Sequence, residues 1–355
     1  AFFTDLDEAL TAIRTYVAAN PKTNLFAKSD FLTPNKTYDD WIRFANSLRL
    51  RLAMRLSNVD PSKAAEEAKK ALSDEGGVLE APTDVIAVNA STSGFTNPLG
   101  EINKGWHEVF MNASMESFLV GYNDPRISKY FTPAAGGSEG ALFDIAGTYK
   151  GVRQGTGVTH NKYKDHSPST VAQNTDAILL TAAEVWFLRA EAALRGYISG
   201  DAGEYYKKGV ETSFAQWGAG SAAEYLESEK TPADYKDAFD AKFDAKAEST
   251  VTPKWDNALS NEQKLEKIIT QKWLAIYPEG CEAWTEQRRT GYPKLFKVAV
   301  NNSGGSIDTD IMIRRLFYPQ ALISDNPTQY GQLTQALGGP DTGGTRLWWD
   351  TGRNF

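Results

Sequence analysis

Helical periodicity runs through most of this chain. Trp41, Ala45, Leu48, Leu52 and Leu56 recur at steps of three and four, which places them on one face of a helix of about 16 residues. Asp60-Pro61 follows as an N-cap and first helical position. The helix it opens carries Ala64, Ala65, Ala68, Ala71 and Leu72, and Gly76-Gly77 offers a C-cap. Small residues along that face let two backbones approach closely, so the pair predicts a helical hairpin over about 41–73. A second pair covers about 178–217: an apolar stretch from Leu180 ends at Gly196, and Asp201 with Glu204 has capping-box spacing. Tyr206, Val210, Phe214 and Trp217 then form a stripe closed by Gly218. Another helix begins at Ser260, where Gln263 completes a capping box, and continues through Leu265, Ile268, Ile269 and Ile276.

The expected class is therefore mainly α, one large domain over residues 1–355. Its hairpins resemble tetratricopeptide units by length and by their small contact residues, although they do not form a tandem array. A loop-rich insertion over about 78–176 separates them. Within it Val85-Ile86-Ala87-Val88 reads as a short strand. Seven glycines fall in the 22 residues from Gly136 to Gly157, interleaved with Phe143, Tyr149 and Arg153, a density that no helix sustains. Long loops with a β-hairpin around Tyr149 are expected there. Loops on a rigid helical scaffold are where binding residues concentrate.

Composition narrows the function classes. Hydrophobic residues at 41% and charged residues at 23% are ordinary for a folded chain. A net charge of −7, with no run of like charge, argues against nucleic acid, which needs a basic face. Cys281 stands alone, so no internal disulfide framework exists, and it reads as a small buried apolar side chain. No apolar run approaches the ~18 residues of a membrane span. The start, Ala1-Phe2-Phe3-Thr4-Asp5, carries neither a basic n-region nor a lipobox and opens directly into an amphipathic helix, as a chain lacking its N-terminal portion would.

Catalytic and cofactor motifs are mostly missing. No glycine precedes Lys-Ser or Lys-Thr, and Gly155-Thr-Gly157-Val-Thr-His160 lacks the third glycine of a dinucleotide fingerprint. His107-Glu108 begins like a zinc-protease helix, but the residue four after His107 is Met111. Three histidines (His107, His160, His166) and one cysteine are too few and too scattered for a structural zinc. No cofactor or metal is expected. Gly136-Gly137-Ser138-Glu139-Gly140 fits a nucleophile elbow, with Asp144 or Asp165 and His160 or His166 downstream. An elbow needs a strand feeding a helix, whereas Tyr130 to Ala135 is broken by Pro133 and no helix follows; a glycine loop explains the same letters. Paired carboxylates for glycoside hydrolysis depend on a spacing that sequence does not place.

Aromatic residues are the remaining signal. Trp41, Trp186 and Trp273 sit inside helical patterns and read as core. Tyr149, His160, Asn161, Tyr163 and Asp165 sit among glycines and polar residues, where an aromatic ring has less to pack against.

Several ordered words resemble one family along the whole chain. Trp41-Ile-Arg-Phe-Ala-Asn-Ser-Leu-Arg-Leu-Arg-Leu-Ala-Met-Arg55 is similar to an early helix of the SusD/RagB family, glycan-capturing outer-membrane lipoproteins of Bacteroidetes. Asn123-Asp124-Pro125-Arg126 resembles its mid-chain element, followed by Tyr149-Lys150-Gly151. Ala190-Glu191-Ala192 with Gly209-Val210 resembles its tetratricopeptide helices. Trp284 with Arg288-Arg289-Thr290-Gly291-Tyr292-Pro293, Arg314-Arg315-Leu316-Phe317-Tyr318-Pro319 and the closing Trp348-Trp349-Asp350 complete the set. One departure is Leu322, where the family usually has glutamate after its Tyr-Pro motif; the family's N-terminal portion, with its export signal and lipidated cysteine, is the other.

The resemblance implies non-catalytic capture of an oligosaccharide at the extracellular face of the outer membrane. The glycan would pass to a TonB-dependent, SusC-like transporter, and contact with the membrane would come only through an absent N-terminal lipid anchor. Glycan contacts in this chain are expected from the middle insertion. Tyr149 and Tyr163 would stack on sugar rings, with Arg153, His160 and Asn161 hydrogen-bonding and Trp106 as a further stacking residue. The rival from another class is a tetratricopeptide-type scaffold that binds a protein or peptide in a groove of helix side chains. A glycoside hydrolase or esterase is the third reading.

Overall fold

The computed structural model describes residues 1–137, 144–157 and 160–355. The elements that position the site are α1 (Phe2–Ala19), α2 (Tyr38–Arg55), α3 (Pro61–Ser73), β1 (Val85–Val88), α4 (Ala113–Gly121), β2 (Ala177–Thr181), α5 (Ala182–Leu194), α6 (Ala202–Gln216), α7 (Asn261–Ala275), α8 (Gly280–Thr290) and α9 (Pro327–Leu337). The class is mainly α, as the periodicity predicts.

Helix starts follow their caps. Asp60 accepts from the Lys63 amide with Pro61 in the first turn, Asp201 accepts from the Glu204 amide, and Ser260 with Gln263 forms a reciprocal capping box. Ends depart more often. α3 stops at Ser73, with Asp74 extended, rather than running to Gly76-Gly77. Leu180 belongs to β2, where it pairs with Ile86 of β1 in an antiparallel ladder, and α5 begins only at Ala182. Val85–Val88 is a strand as expected. No β-hairpin forms around Tyr149 among the described residues; instead Val152 docks on the strand-like stretch before α4, donating to the Met111 carbonyl at 2.8 Å and accepting from Ala113 at 2.9 Å. Cys281 is exposed in the first turn of α8, not buried.

α5 is the central helix. Ala183, Phe187 and Ala190 face a large core with α4, α6 and α7. Val185, Leu188 and Ala192 face a second core with α2 and α3. The α5–α6 approach depends on Gly209, where an added Cβ would stand 2.7 Å from the Phe187 ring. On the other side, the fully buried Ala64, Ala68 and Ala71 of α3 allow the close contact with α2. The insertion is not laid over this scaffold but enters it. α4 contributes Phe118 and Leu119 to the large core, and Arg126 of the Asn123–Arg126 element is wholly buried there. Its guanidinium is paired with Asp124 at 2.6 Å, reaches Gln271 of α7 at 3.0 Å, and lies over the Phe214 ring of α6.

A second polar cluster joins four helices. Arg51 of α2 pairs with Glu184 of α5, and Arg55 of α2 with Glu282 and Glu286 of α8. Lys272 of α7 lies 2.9 Å from Glu282, 3.3 Å from Glu184 and 3.5 Å from Glu286. Arg289 donates to both oxygens of Glu191 at 2.7 Å and to Glu286 at 2.6 Å. Burial alone would raise the Glu282 carboxyl, but Lys272, Arg55 and Arg51 outweigh it and hold it at about 2. Burial likewise opposes the charge on Glu286, and Arg289, Lys272 and Arg55 hold that carboxyl well below its ordinary value.

Two outcomes are expected. Carboxylates with lowered pKa values stabilise the fold above their unfolded value and lose that contribution as they protonate. Denaturant unfolding should therefore show stability falling as pH drops from 4.5 toward about 2. Glu286→Gln removes the carboxylate shared by Arg55, Lys272 and Arg289, leaves Glu282, Glu184 and Glu191 to carry those cations alone, and should cost about 3–5 kcal/mol. Lys207→Ala, which breaks an exposed pair with Glu204, should cost under about 0.5 kcal/mol. Equal costs would mean that the cluster does not clamp the helices.

Candidate functional site

Three of the six residues expected to contact ligand are turned inward. Tyr163 is 4% exposed, with its ring against His166 at 4.9 Å and Phe239 at 5.5 Å, and its hydroxyl donates to Asp237 at 3.3 Å. Burial and then the Asp237 charge push its pKa up to about 12. Arg153 donates to the carbonyls of Phe243 at 2.8 Å, Asp244 at 2.9 Å and Lys297 at 3.2 Å, fastening the insertion to two later loops. Tyr149 is half-buried against the large core. For Tyr163 and Arg153 the structure departs from the expectation, because their faces and donors are already engaged by protein.

The other three stay at the surface. Trp106 is 61% exposed. His160 places Nε2 2.8 Å from the His107 carbonyl oxygen and its ring 6.2 Å from that of Phe110, and Asn161 beside it is exposed. His166 is fully buried, and neither ring nitrogen has a hydrogen-bond partner among the described residues. Burial, then the nearby Lys150 charge, lowers its pKa to about 4. The nucleophile-elbow serine, Ser138, lies outside the described residues, as do Glu139, Gly140 and Phe143.

Phe110 leads from this rim into a cleft of about 430 Å³ at the corner between α7 and α8. Trp273 and Tyr277 form one wall, Trp284 and Gln287 the next, and Phe110, Asn112 and Met115 the wall opposite. The rings are fixed from behind. Trp273 meets Phe118 edge-on at 5.5 Å, and the Tyr277 hydroxyl lies 2.6 Å from Ser169 Oγ. Arg288 covers one face of Trp284 at 3.6 Å and is itself flanked by Trp349, while the Trp284 indole N–H donates to the Ile313 carbonyl. The cleft continues past Gln287, Pro293, Leu295 and Met312 into a more polar hollow of about 410 Å³ that includes Lys294 and Glu262.

Few polar groups line the apolar part. Asn112 caps α4 with Oδ1, accepting from the Ser114 amide at 2.8 Å. Its Nδ2, the Gln154 and Gln287 amides and the Trp273 indole N–H meet no protein partner among the described residues. Glu279 is the sole carboxylate on the wall among the described residues, and it caps α8 by accepting from the Glu282 amide at 2.8 Å. Burial, then the charge of Glu282, raises its pKa. No group of three or more His, Cys, Asp or Glu among the described residues is placed to hold a metal ion.

Sequence reasoning read Trp273 as core, which its packing on the large core bears out, but did not connect Trp273, Tyr277 and Trp284 as the lining of one cleft. The signal was present: three aromatics bracket Pro278-Glu279-Gly280, so two helices meet at a turn with rings on both sides.

An aromatic cleft with unengaged amides, set at a corner of a clamped helical scaffold, has the make-up of a small-molecule pocket. The sequence profile described as SusD-like, "Susd and RagB outer membrane lipoprotein", matches residues 1–350, and the chain belongs to that family. Among solved structures, a SusD homologue from Bacteroides vulgatus is 50% identical, with a TM-score of 0.92 over 100% of this chain and 71% of that one. A chitin-binding SusD homologue from Flavobacterium johnsoniae is 41% identical, with a TM-score of 0.92 over 99% of this chain and 72% of that one. A SusD homologue from Bacteroides uniformis is 36% identical, with a TM-score of 0.86 over 99% and 72%. None of the curated proteins matches the chain.

The division of the insertion into packing and surface residues is open to measurement. Tyr163→Ala should lower stability by about 3–5 kcal/mol, the usual cost of emptying a buried aromatic site. Trp106→Ala should change it by no more than about 0.5 kcal/mol. Thermal unfolding of both variants decides this, and an unchanged melting temperature for Tyr163→Ala would return that ring to the list of ligand contacts.

Proposed function

We propose that this protein captures an oligosaccharide without cleaving it, at the extracellular face of the outer membrane, and that the α7–α8 cleft is where the glycan lies. The observation that carries the reading is the aromatic cleft in a chain of the SusD-like family. Flat rings held from behind offer stacking faces to pyranose rings, and unengaged amides offer hydrogen bonds to their substituents. That a relative 41% identical over nearly the whole chain is a chitin-binding protein supports an oligosaccharide as the ligand class. His160, whose ring lies 6.2 Å from that of Phe110, and the exposed Trp106 and Asn161 would serve sugars beyond the cleft.

Capture rather than hydrolysis is favoured by the wall chemistry. Glycoside hydrolysis typically uses two carboxyl groups facing one bond, and Glu279 alone lines the cleft among the described residues, engaged as a helix cap. A lipid anchor accounts for attachment to the membrane, in keeping with the family description; no helix among the described residues is long and apolar enough to cross one. The acceptor of the captured glycan is a TonB-dependent, SusC-like transporter.

Isothermal titration against a glycan panel, with sugar release assayed in parallel, tests the reading. Trp273→Ala and Trp284→Ala should each weaken binding about tenfold or more, the scale of losing one central aromatic contact. Sugar release abolished by Glu279→Gln would overturn the non-catalytic assignment. Purification of the native complex from detergent-solubilised membranes should recover the transporter, and its consistent absence would overturn that partner.

A further inference from the structure

We infer that the α7–α8 cleft selects N-acetylated sugars, holding acetamido groups against its apolar wall. This rests on the capture reading above and goes on to name the substituent that is recognised. The lining is unusual for a sugar site. Met115, Ile276, Met312 and Phe110 present carbon, and no Lys or Arg side chain lines this part among the described residues. A hexose bearing only hydroxyls carries more donors and acceptors than the few amides of this lining can meet, so some would be buried against carbon, which opposes binding. A uronate, sialate or sulfated sugar would bring a charge with no cation to meet it in this part of the cleft.

An acetamido group matches what is there. Its methyl removes apolar surface from water against partly exposed lining such as Met312, Phe110 and Leu295, and its planar amide brings one donor and one acceptor. Trp273 and Asn112 line the cleft, and the Trp273 indole N–H and Asn112 Nδ2 have no protein partner among the described residues. The side-chain Oε1 atoms of Gln154 and Gln287 are acceptors of the kind an acetamido N–H requires. A free amine is the competing form, because Glu279 is an anion on the same wall. That carboxylate is engaged by the Glu282 amide at 2.8 Å and feels the Arg51 charge as well, so the cleft is not built around an ammonium group. Sugars beyond the cleft run into the polar hollow at Lys294 and Glu262, where hydroxyl groups find partners.

The experiment is calorimetric titration of the whole chain with three hexasaccharides of one linkage geometry: chitohexaose, its fully deacetylated counterpart, and cellohexaose. Chitohexaose should bind at least tenfold more tightly than either of the others. Gln287→Leu, with Gln154→Leu as a second variant at an exposed position, should narrow that ratio while leaving the melting temperature unchanged. Equal or tighter binding of cellohexaose or of the amine form overturns the acetamido inference and leaves glycan capture standing. So does tight binding of some other glycan in a wider panel with none of chitohexaose. Failure to bind any member of that panel overturns the capture reading and this inference together.

Discussion

The fold turns on Glu282 and Glu286, two carboxylates buried among Lys272, Arg289, Arg55 and Arg51. Moving such charges out of water is costly, and their mutual attraction does little more than offset that cost. What the cluster supplies is a single arrangement, since any slip of one helix leaves a buried charge unpaired. Four helices enter it, α2, α5 and the adjacent pair α7 and α8, from three parts of the chain distant in sequence. A purely apolar contact among them would tolerate small displacements that this lattice of bidentate and bridging bonds does not.

The cleft is the other side of the same helices. On α8, Glu282, Glu286 and Arg289 fall on one face by helical spacing, while Ala283, Trp284 and Gln287 fall on another, toward the cleft. On α7, Lys272 points into the lattice, and Trp273, with Tyr277 just beyond the end of the helix, flanks the cleft. Fixing the charges therefore fixes the rings. The opposite wall is held by a separate device: α4 is packed in the large core, and the chain just after it is pinned by Arg126 and Asp124 against Gln271 of α7. Both walls thus reference α7.

Much of the scaffold was legible in the sequence because its signals are local. Asp60-Pro61, Asp201 and Ser260 mark helix starts through side-chain caps within three residues, and Ala64, Ala68 and Ala71 advertise a close helix contact. β2 was not legible. Leu180 looks like the first turn of α5 until Ile86 pairs with it from far away in the chain. The insertion misled for a related reason. Its glycines signal loops correctly, but whether Tyr163 or Arg153 faces solvent is decided by Phe239, Asp237 and the carbonyls of Phe243 and Asp244, none of them near in sequence. Trp273 packs against the large core as its helical pattern predicts, but a helical pattern gives no warning that a corner leaves its other face, and that of Trp284, along a cleft. The family words fared better as fold markers, since Arg126, Glu191 and Arg289 are all buried in ion pairs.

Hydrogen–deuterium exchange of the protein with and without a bound oligosaccharide tests most directly where recognition lies. If the α7–α8 corner is the site, ligand should slow exchange in peptides spanning 273–287 and 109–115, with at most small changes at the rim around 160–161. Protection confined to the glycine-rich stretch from 144 to 166, with the corner unchanged, would contradict the account and place recognition back on the insertion.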